Sequence, residues 1–359
     1  MVAGVTITEV RLHRLSTPLH TPFVTSLRTA TEIRSLVVEL VDSDGFRGYG
    51  EAPEVWRVTG ASIEGAEACV RLLTPILTGA DPEDLVALLG RVQRAVVGNE
   101  SAKAAVDIAL HDLAARRLGV PLARLLGGTT LRVPTDVTLA AGEPGGLAEA
   151  AAARVKEGFT VIKVKVGTDA AGDLARVRAV REAAPQATIR LDANQGWTPR
   201  EAVRVIGAIE DAGLGVELVE QPTPAHDIEG LAWVSERVSL PVMADESVFG
   251  IRDLVEVIRR RAADLVNVKL AKCGGLAPAR TLLELARAQD MGTVVGSMME
   301  GQIGVGAAAS LVAAYGTSAV SDLDAAWWLA ESPLGGGLRY DGATVVLPAE
   351  PGLGVEGIW

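Results

Sequence analysis

The chain has 359 residues, of which 48% are apolar and 22% charged, and carries a formal net charge of −11 at pH 7. That length fills one large domain and a smaller one, and the acidic balance argues against general nucleic-acid binding, which needs clustered Lys and Arg. Two cysteines, Cys69 and Cys273, make neither a disulfide framework nor a CxxC pair, and no apolar run reaches the roughly 18 residues of a membrane-spanning helix.

Residues 5–15 alternate loosely and read as a strand. Thr17–Thr31 is rich in Thr, Pro and Ser and reads as a loop. Ile33–Val41 reads as a second strand, Asp44-Gly45 as a turn and Phe46–Gly50 as the returning strand. Ser62–Leu73, Asp84–Val96 and Ser101–Leu118 then show helical periodicity, punctuated by Pro82 and Pro121. An antiparallel sheet followed by helices is expected up to about residue 126, with Gly127-Gly128 as a boundary.

A different rhythm follows. Strand-like runs begin near 133, 161, 188, 217, 241, 265, 293 and 319. Helical segments separate them, among them Leu147–Glu157, Ala170–Ala184, Pro199–Ala212 and Pro278–Asp290. Strands joined by helical crossovers imply an α/β fold with a parallel sheet, and eight repeats suit a closed barrel. A doubly wound open sheet is the alternative, but it would open on a glycine-rich turn that the first strand-helix unit lacks. Thr344–Leu347 is strand-like, and the tail is expected to return to the first domain. The expected division is a capping domain over 1–126, completed by 340–359, and a barrel over 127–339.

Charged residues mark the strand ends. Lys165, Asp192, Glu220, Asp245 and Lys269 follow one another at 24 to 28 positions, about one strand-helix unit each. Asp192, Glu220 and Asp245 should stand at the C-terminal mouth of three consecutive strands, where such barrels place their active sites. Three clustered anions need a cation. All-oxygen ligation suits Mg²⁺, with Mn²⁺ as an alternative. Asn194 and Glu246 are neighbours able to support the ligands, Asn194 from the same strand face as Asp192. Lys163 and Lys165 point the same way on the second strand, and Lys269 stands opposite on the sixth. Positive neighbours and burial lower a lysine's pKa, so Lys165 is a candidate base. Two bases on opposite faces suit removal of a proton next to a carboxylate and its return from the other side.

The segments IKVKVG, RLDANQGW, LVEQP, VMADES, NVKLAKCGG and GSMMEGQIG, together with the early GYGEA, resemble the muconate lactonizing enzyme branch of the enolase superfamily. A Lys or His base paired with Mg²⁺ is an established property of enolase-superfamily sites. The resemblance implies an α+β capping domain over a modified TIM barrel, (β/α)₇β. It implies metal ligation by Asp192, Glu220 and Asp245, and an acid/base pair of Lys165 and Lys269 supported by Lys163. Asp322 and Asp324, after the eighth strand, look like the Asp-x-Asp motif that holds the free amino group in dipeptide epimerases. Arg28, in TPFVTSLRTA, is similar to the arginine that meets an acidic side chain in Ala-Glu epimerases, and such pairs are selective. Phe23, Thr138, Met298 and Glu300 are further candidates for the substrate pocket. Gly301 departs from the serine often found there, and Trp327 and Trp328 are unusually bulky neighbours of the Asp pair.

The expected function is Mg²⁺-dependent inversion of the second residue of an L-Ala-L-Glu-like dipeptide. An N-acylamino acid racemase or cycloisomerase of the same branch is the alternative, and a non-catalytic binding protein on the same barrel a third. The partner is a small molecule rather than nucleic acid or membrane. Lacking a positive-then-apolar leader, the protein is expected in the cytoplasm, and barrels of this kind often form homo-oligomers.

Overall fold

The structure, a computed structural model, describes residues 4–24 and 29–359. It opens with a three-stranded antiparallel sheet of β1 (Ile7–Val24), β2 (Thr29–Asp42) and β3 (Arg47–Pro53), in that spatial order. Gly45, at φ +85°, makes the turn between β2 and β3. Of the segment expected as a loop, Thr17–Thr31, residues 17–24 and 29–31 instead lie in paired strands, with Pro18 opposite Glu32 and Phe23 opposite Ala30. Its prolines mislead because β1 is an edge strand, where a missing N–H is tolerated, and an irregularity between Pro18 and Phe23 absorbs them.

Three helices cover this sheet: α1 (Ile63–Leu77), α2 (Leu85–Ala95) and α3 (Glu100–Arg117). Ser62 caps α1 by accepting the Gly65 N–H at 3.0 Å. The Ala-rich α3 is buried on nearly every side because it lies between the sheet and the barrel. It also approaches β3 very closely. A Cβ on Gly50 would collide with the Ala105 carbonyl and lie 2.7 Å from the Ala109 nitrogen, so the glycines of GYGEA are a packing requirement.

After α4 (Leu122–Leu125) and the short β4 (Arg132–Pro134), a seven-stranded parallel sheet runs in sequence order. Its strands are β5 (Val137–Leu139), β6 (Val161–Lys165), β7 (Thr188–Asp192), β8 (Val216–Glu220), β9 (Val242–Ala244), β10 (Leu265–Lys269) and β11 (Gly292–Gly296). The crossovers are α5 (Pro144–Lys156), α6 (Asp173–Ala183), α7 (Pro199–Asp211), α8 (Ile228–Ser235), α9 (Ile251–Arg260), the pair α10 (Leu270–Cys273) and α11 (Leu276–Ala288), and α12 (Gln302–Tyr315). The curled sheet closes through bridges from Ser321 to Thr135 and from Asp322 to Gly296. The expected (β/α)₇β barrel with an antiparallel cap is therefore the observed architecture. Two starts differ. The run near 133 is split, and β4 pairs antiparallel with β14 (Thr344–Val346), itself paired with β13 (Arg339–Asp341), so the first barrel strand begins at Val137. The run near 319 supplies only the bridges at Ser321 and Asp322.

Buried carboxylates of the cap tie the two layers together. Glu51 accepts the N–H groups of Gly301 (2.8 Å) and Gly304 (3.0 Å) at the start of α12. Asp107 accepts Leu276 N–H at 2.7 Å at the start of α11. Asp112 accepts both Tyr49 N–H (2.8 Å) and Leu353 N–H (2.6 Å) of the tail. The tail also pairs β15 (Val355–Ile358) with β12 (Leu334–Gly336). Anions at helix N-termini satisfy donors that have no partner within the helix.

Candidate active site

Strand register assembles the site. Lys165 lies beside Asp192, and Asp192 beside Glu220, on adjacent strands, so the three side chains share the inner face. Glu220 is opposite Met243, which puts Asp245 just beyond the end of β9. Lys269 closes β10 across the barrel from β6.

Each expected metal ligand meets a lysine. Lys165 Nζ donates to Asp192 Oδ2 at 2.6 Å and Lys269 Nζ to Asp245 Oδ2 at 2.8 Å. Lys163 Nζ reaches Glu220 Oε2 at 3.2 Å, Asp192 Oδ2 at 3.5 Å and Asp322 Oδ2 in a very short contact. Two further residues join the set without having been expected there. Lys272, nearly fully buried, donates to Asp245 Oδ1 at 2.6 Å. Asn267 donates to Glu220 Oε1 at 2.7 Å.

Burial opposes the charge on Lys269, but Asp245 and Glu220 outweigh it and its pKa lies above the ordinary lysine value. Lys163 is likewise raised against burial, chiefly by Asp322 and Glu220. Burial also opposes ionisation of Asp245 and Asp192, yet their lysines hold both below the usual range. Glu220 is pushed up to about 7, first by burial and then by Asp192. Glu246 is pushed up to about 8 by burial and by Asp245.

These groups fit a divalent cation. Asp192, Glu220, Asp245, Glu246, Asp322 and Asp324 are all buried, against the buried ammonium groups of Lys163, Lys165, Lys269 and Lys272. The carboxylates outnumber the lysines by two, and Glu246 Oε2 is buried without a hydrogen-bond partner. Asn194 does not stay on the strand face. It turns to φ +41° after β7, bonds Asp192 Oδ1 through its backbone N–H at 2.9 Å, and points its amide at Glu246 Oε1, 3.3 Å away.

A second acidic group lies nearby. Among the described residues, Asp136, Asp322 and Asp324 have ligand atoms within 4.8 Å of one another, whereas Asp192, Glu220 and Asp245 do not converge that closely. Like the strand-end carboxylates, the former set meets cations and donors, although Asp136 Oδ1 is buried without a hydrogen-bond partner. Lys163 takes Asp322 and Arg190 stands 3.3 Å from Asp136. Asp324 Oδ2 accepts Thr138 N–H (2.8 Å) and Trp328 Nε1–H (3.0 Å). Burial and Asp322 push Asp136 well above the usual carboxylate range. Burial and Asp322 also lift Asp324, to about 6. Asp324 stands at the N-cap of the 3₁₀ turn Ala325–Trp328 but makes no capping bond.

A cavity of about 90 Å³ joins these groups. Lys163, Lys165, Lys269, Asp322, Asp324, Thr138, Phe23 and Met298 all line it. Arg57, from the cap segment after β3, lines it too, with no ion-pair or hydrogen-bond partner among the described residues. Glu300 stands behind the wall, where it accepts Met298 N–H at 2.9 Å, and Gly301 packs on Glu51 rather than on the cavity. Arg28 lies outside the described residues. The much larger groove of about 1000 Å³ runs between α2, α9 and α11, includes Cys273, and contains none of the lysines or strand-end carboxylates.

Residues 7–127 match the family described as Mandelate racemase / muconate lactonizing enzyme, N-terminal domain, and residues 146–357 match Enolase C-terminal domain-like. The chain belongs to this enolase-superfamily group. Full-length relatives named epimerases, 36–41% identical, make it an isomerase. It is 41% identical to an L-Ala-D/L-Glu epimerase of Clostridium acetobutylicum, over 98% of this chain and 99% of the relative. Its fold superposes with a TM-score of 0.95 on a substrate-liganded L-Ala-D/L-Glu epimerase of Bacillus subtilis, at 40% identity and 99% coverage of each chain. A dipeptide epimerase of Enterococcus faecalis, complexed with Mg and L-Leu-L-Tyr, gives 0.94 at 36% identity, covering 98% of this chain and all of the other. No helix among the described residues is long and apolar enough to cross a membrane.

Proposed function

We propose that the protein is a Mg²⁺-dependent dipeptide epimerase that inverts the α-carbon of the second residue of an L-Ala-L-Glu-like dipeptide. One observation carries the reading. Lys165 and Lys269, from opposite strands of the barrel, line the same small cavity as Asp322 and Asp324. One lysine removes the α-proton while the other, protonated, returns one from the opposite face. After a turnover the two have exchanged protonation states and reset through solvent. Asp192, Glu220 and Asp245 hold the metal, whose contribution is to stabilise negative charge on the substrate carboxylate. Asp322 and Asp324 take the free amino group. Arg57 at the cavity wall favours an acidic side chain at the second position, in line with the role that the resemblance gives Arg28.

The test is incubation with Mg²⁺ and pooled L,L-dipeptides in D₂O, read by mass spectrometry. A gain of one mass unit, greatest for Ala-Glu, is expected, and Lys165→Ala should stop inversion. No gain in any dipeptide with metal bound would overturn the reading. Calorimetry separates the two acidic groups: Asp192→Asn should weaken Mg²⁺ binding and Asp136→Asn should not.

A further inference from the structure

We propose that Trp328 is a positioning residue that sets the amino-terminal subsite and couples it to the capping sheet. The inference rests on the dipeptide reading and deepens it.

Asp324 presents its two oxygens unequally. Oδ2 accepts the Thr138 backbone N–H at 2.8 Å and the Trp328 indole N–H at 3.0 Å. Two donors fix that oxygen, and the carboxylate lines the cavity, so Oδ1 is the atom left for a substrate ammonium. Without the indole, Asp324 would keep a single donor and could rotate about its Cβ–Cγ bond. A preorganised acceptor binds a cation better than one that must first be ordered.

The same indole is held from the other side by the cap. Its ring stacks on His20, with centroids 5.2 Å apart and planes inclined by 24°, and meets the edge of Phe23 at 5.4 Å. Trp327 packs against it at 5.1 Å. Backbone contacts reinforce the join, since Leu19 bridges Leu329 and Ala330 N–H bonds Pro18 O at 2.9 Å. His20 and Phe23 belong to the end of β1, and Phe23 itself lines the catalytic cavity. One side chain therefore touches the ammonium clamp with its N–H and the cavity's roof with its ring. Docking of β1 fixes the indole, and the indole fixes Asp324.

The experiment uses the full chain with Mg²⁺ and L-Ala-L-Glu in D₂O, comparing wild type, W328F, H20A and the double variant. W328F keeps an aromatic ring but loses the donor. Its KM should rise about tenfold while kcat changes less than about threefold, the loss expected for one hydrogen bond to a charged group. H20A should raise KM about threefold through the loosened ring. The double variant should be no worse than W328F alone, because both act through the same bond. An unchanged KM in W328F, or additive effects in the double, would overturn the role while leaving the dipeptide reading intact. Absence of exchange by wild type would remove both. His20 is exposed, so H20A should fold even if W328F does not. No rise in its KM would then overturn the coupling.

Discussion

Lys272 grips Asp245 twice, through the carboxylate Oδ1 at 2.6 Å and the backbone carbonyl at 2.5 Å. Its third bond, 3.0 Å to the Asn267 carbonyl, ties the end of β9 to β10. Lys269 meets only the other carboxylate oxygen of Asp245. Replacing Lys272 by Met should leave a buried carboxylate underpaired and lower unfolding free energy by about 3–5 kcal/mol. Lys269→Met, which leaves the double grip intact, should cost less. Urea unfolding of the two variants makes the comparison, and equal losses would deny Lys272 its structural role.

Asp324→Asn tests the ammonium clamp directly. The amide can satisfy Thr138 and Trp328 only by turning its oxygen to them. Its NH₂ group then faces the cavity, donor against donor. KM for dipeptides should rise at least about tenfold, while Mg²⁺ affinity measured by calorimetry stays within about twofold. An unchanged KM would remove the clamp.

The strand-end placement of these charges was readable because its period is the period of the fold: Lys165, Asp192, Glu220, Asp245 and Lys269 each end a short apolar run. What the sequence hid depends on distant pairing. Thr17–Thr31 reads as a loop from its composition, and only the partner β2 reveals strands. Lys272 looks like an ordinary helix lysine until the turn after β10 aims it back at Asp245. Arg57 belongs to a cap segment whose place over the barrel no local pattern encodes. Asp136 and Arg190 form a polar layer inside the barrel that emerges only when the sheet closes through Ser321 and Asp322.

Local packing makes the same substitution change sign between the cap and a barrel helix. Gly50→Ala places a methyl group against the backbone of α3. Overpacking of this kind costs about 1–3 kcal/mol or more, and backbone on both sides leaves no side chain to yield. A Cβ added to Gly207, inside α7, would have nothing within 4 Å. Gly207→Ala should therefore stabilise by about 0.5–1 kcal/mol through helix propensity. Thermal unfolding should show a lower Tm for the first and a higher Tm for the second.

Glu300 makes stability depend on pH. It is pushed up to about 8, first by burial and then by Glu51, with the Met298 N–H a partial offset. Glu51 is raised as well, first by burial, although Gly301 and Gly304 donate to it. An acid with a higher pKa folded than unfolded binds more protons in the folded state. Its stabilising effect is complete below the ordinary value of 4.5 and is lost as pH rises toward about 8, at up to about 1.4 kcal/mol per pH unit. Glu300→Gln keeps the size and removes the titration. Urea unfolding at pH 5 and pH 8 should show the wild type losing more stability than the variant. Parallel losses would mean that Glu300 is already ionised at pH 5 and that the surrounding carboxylates carry whatever pH dependence remains.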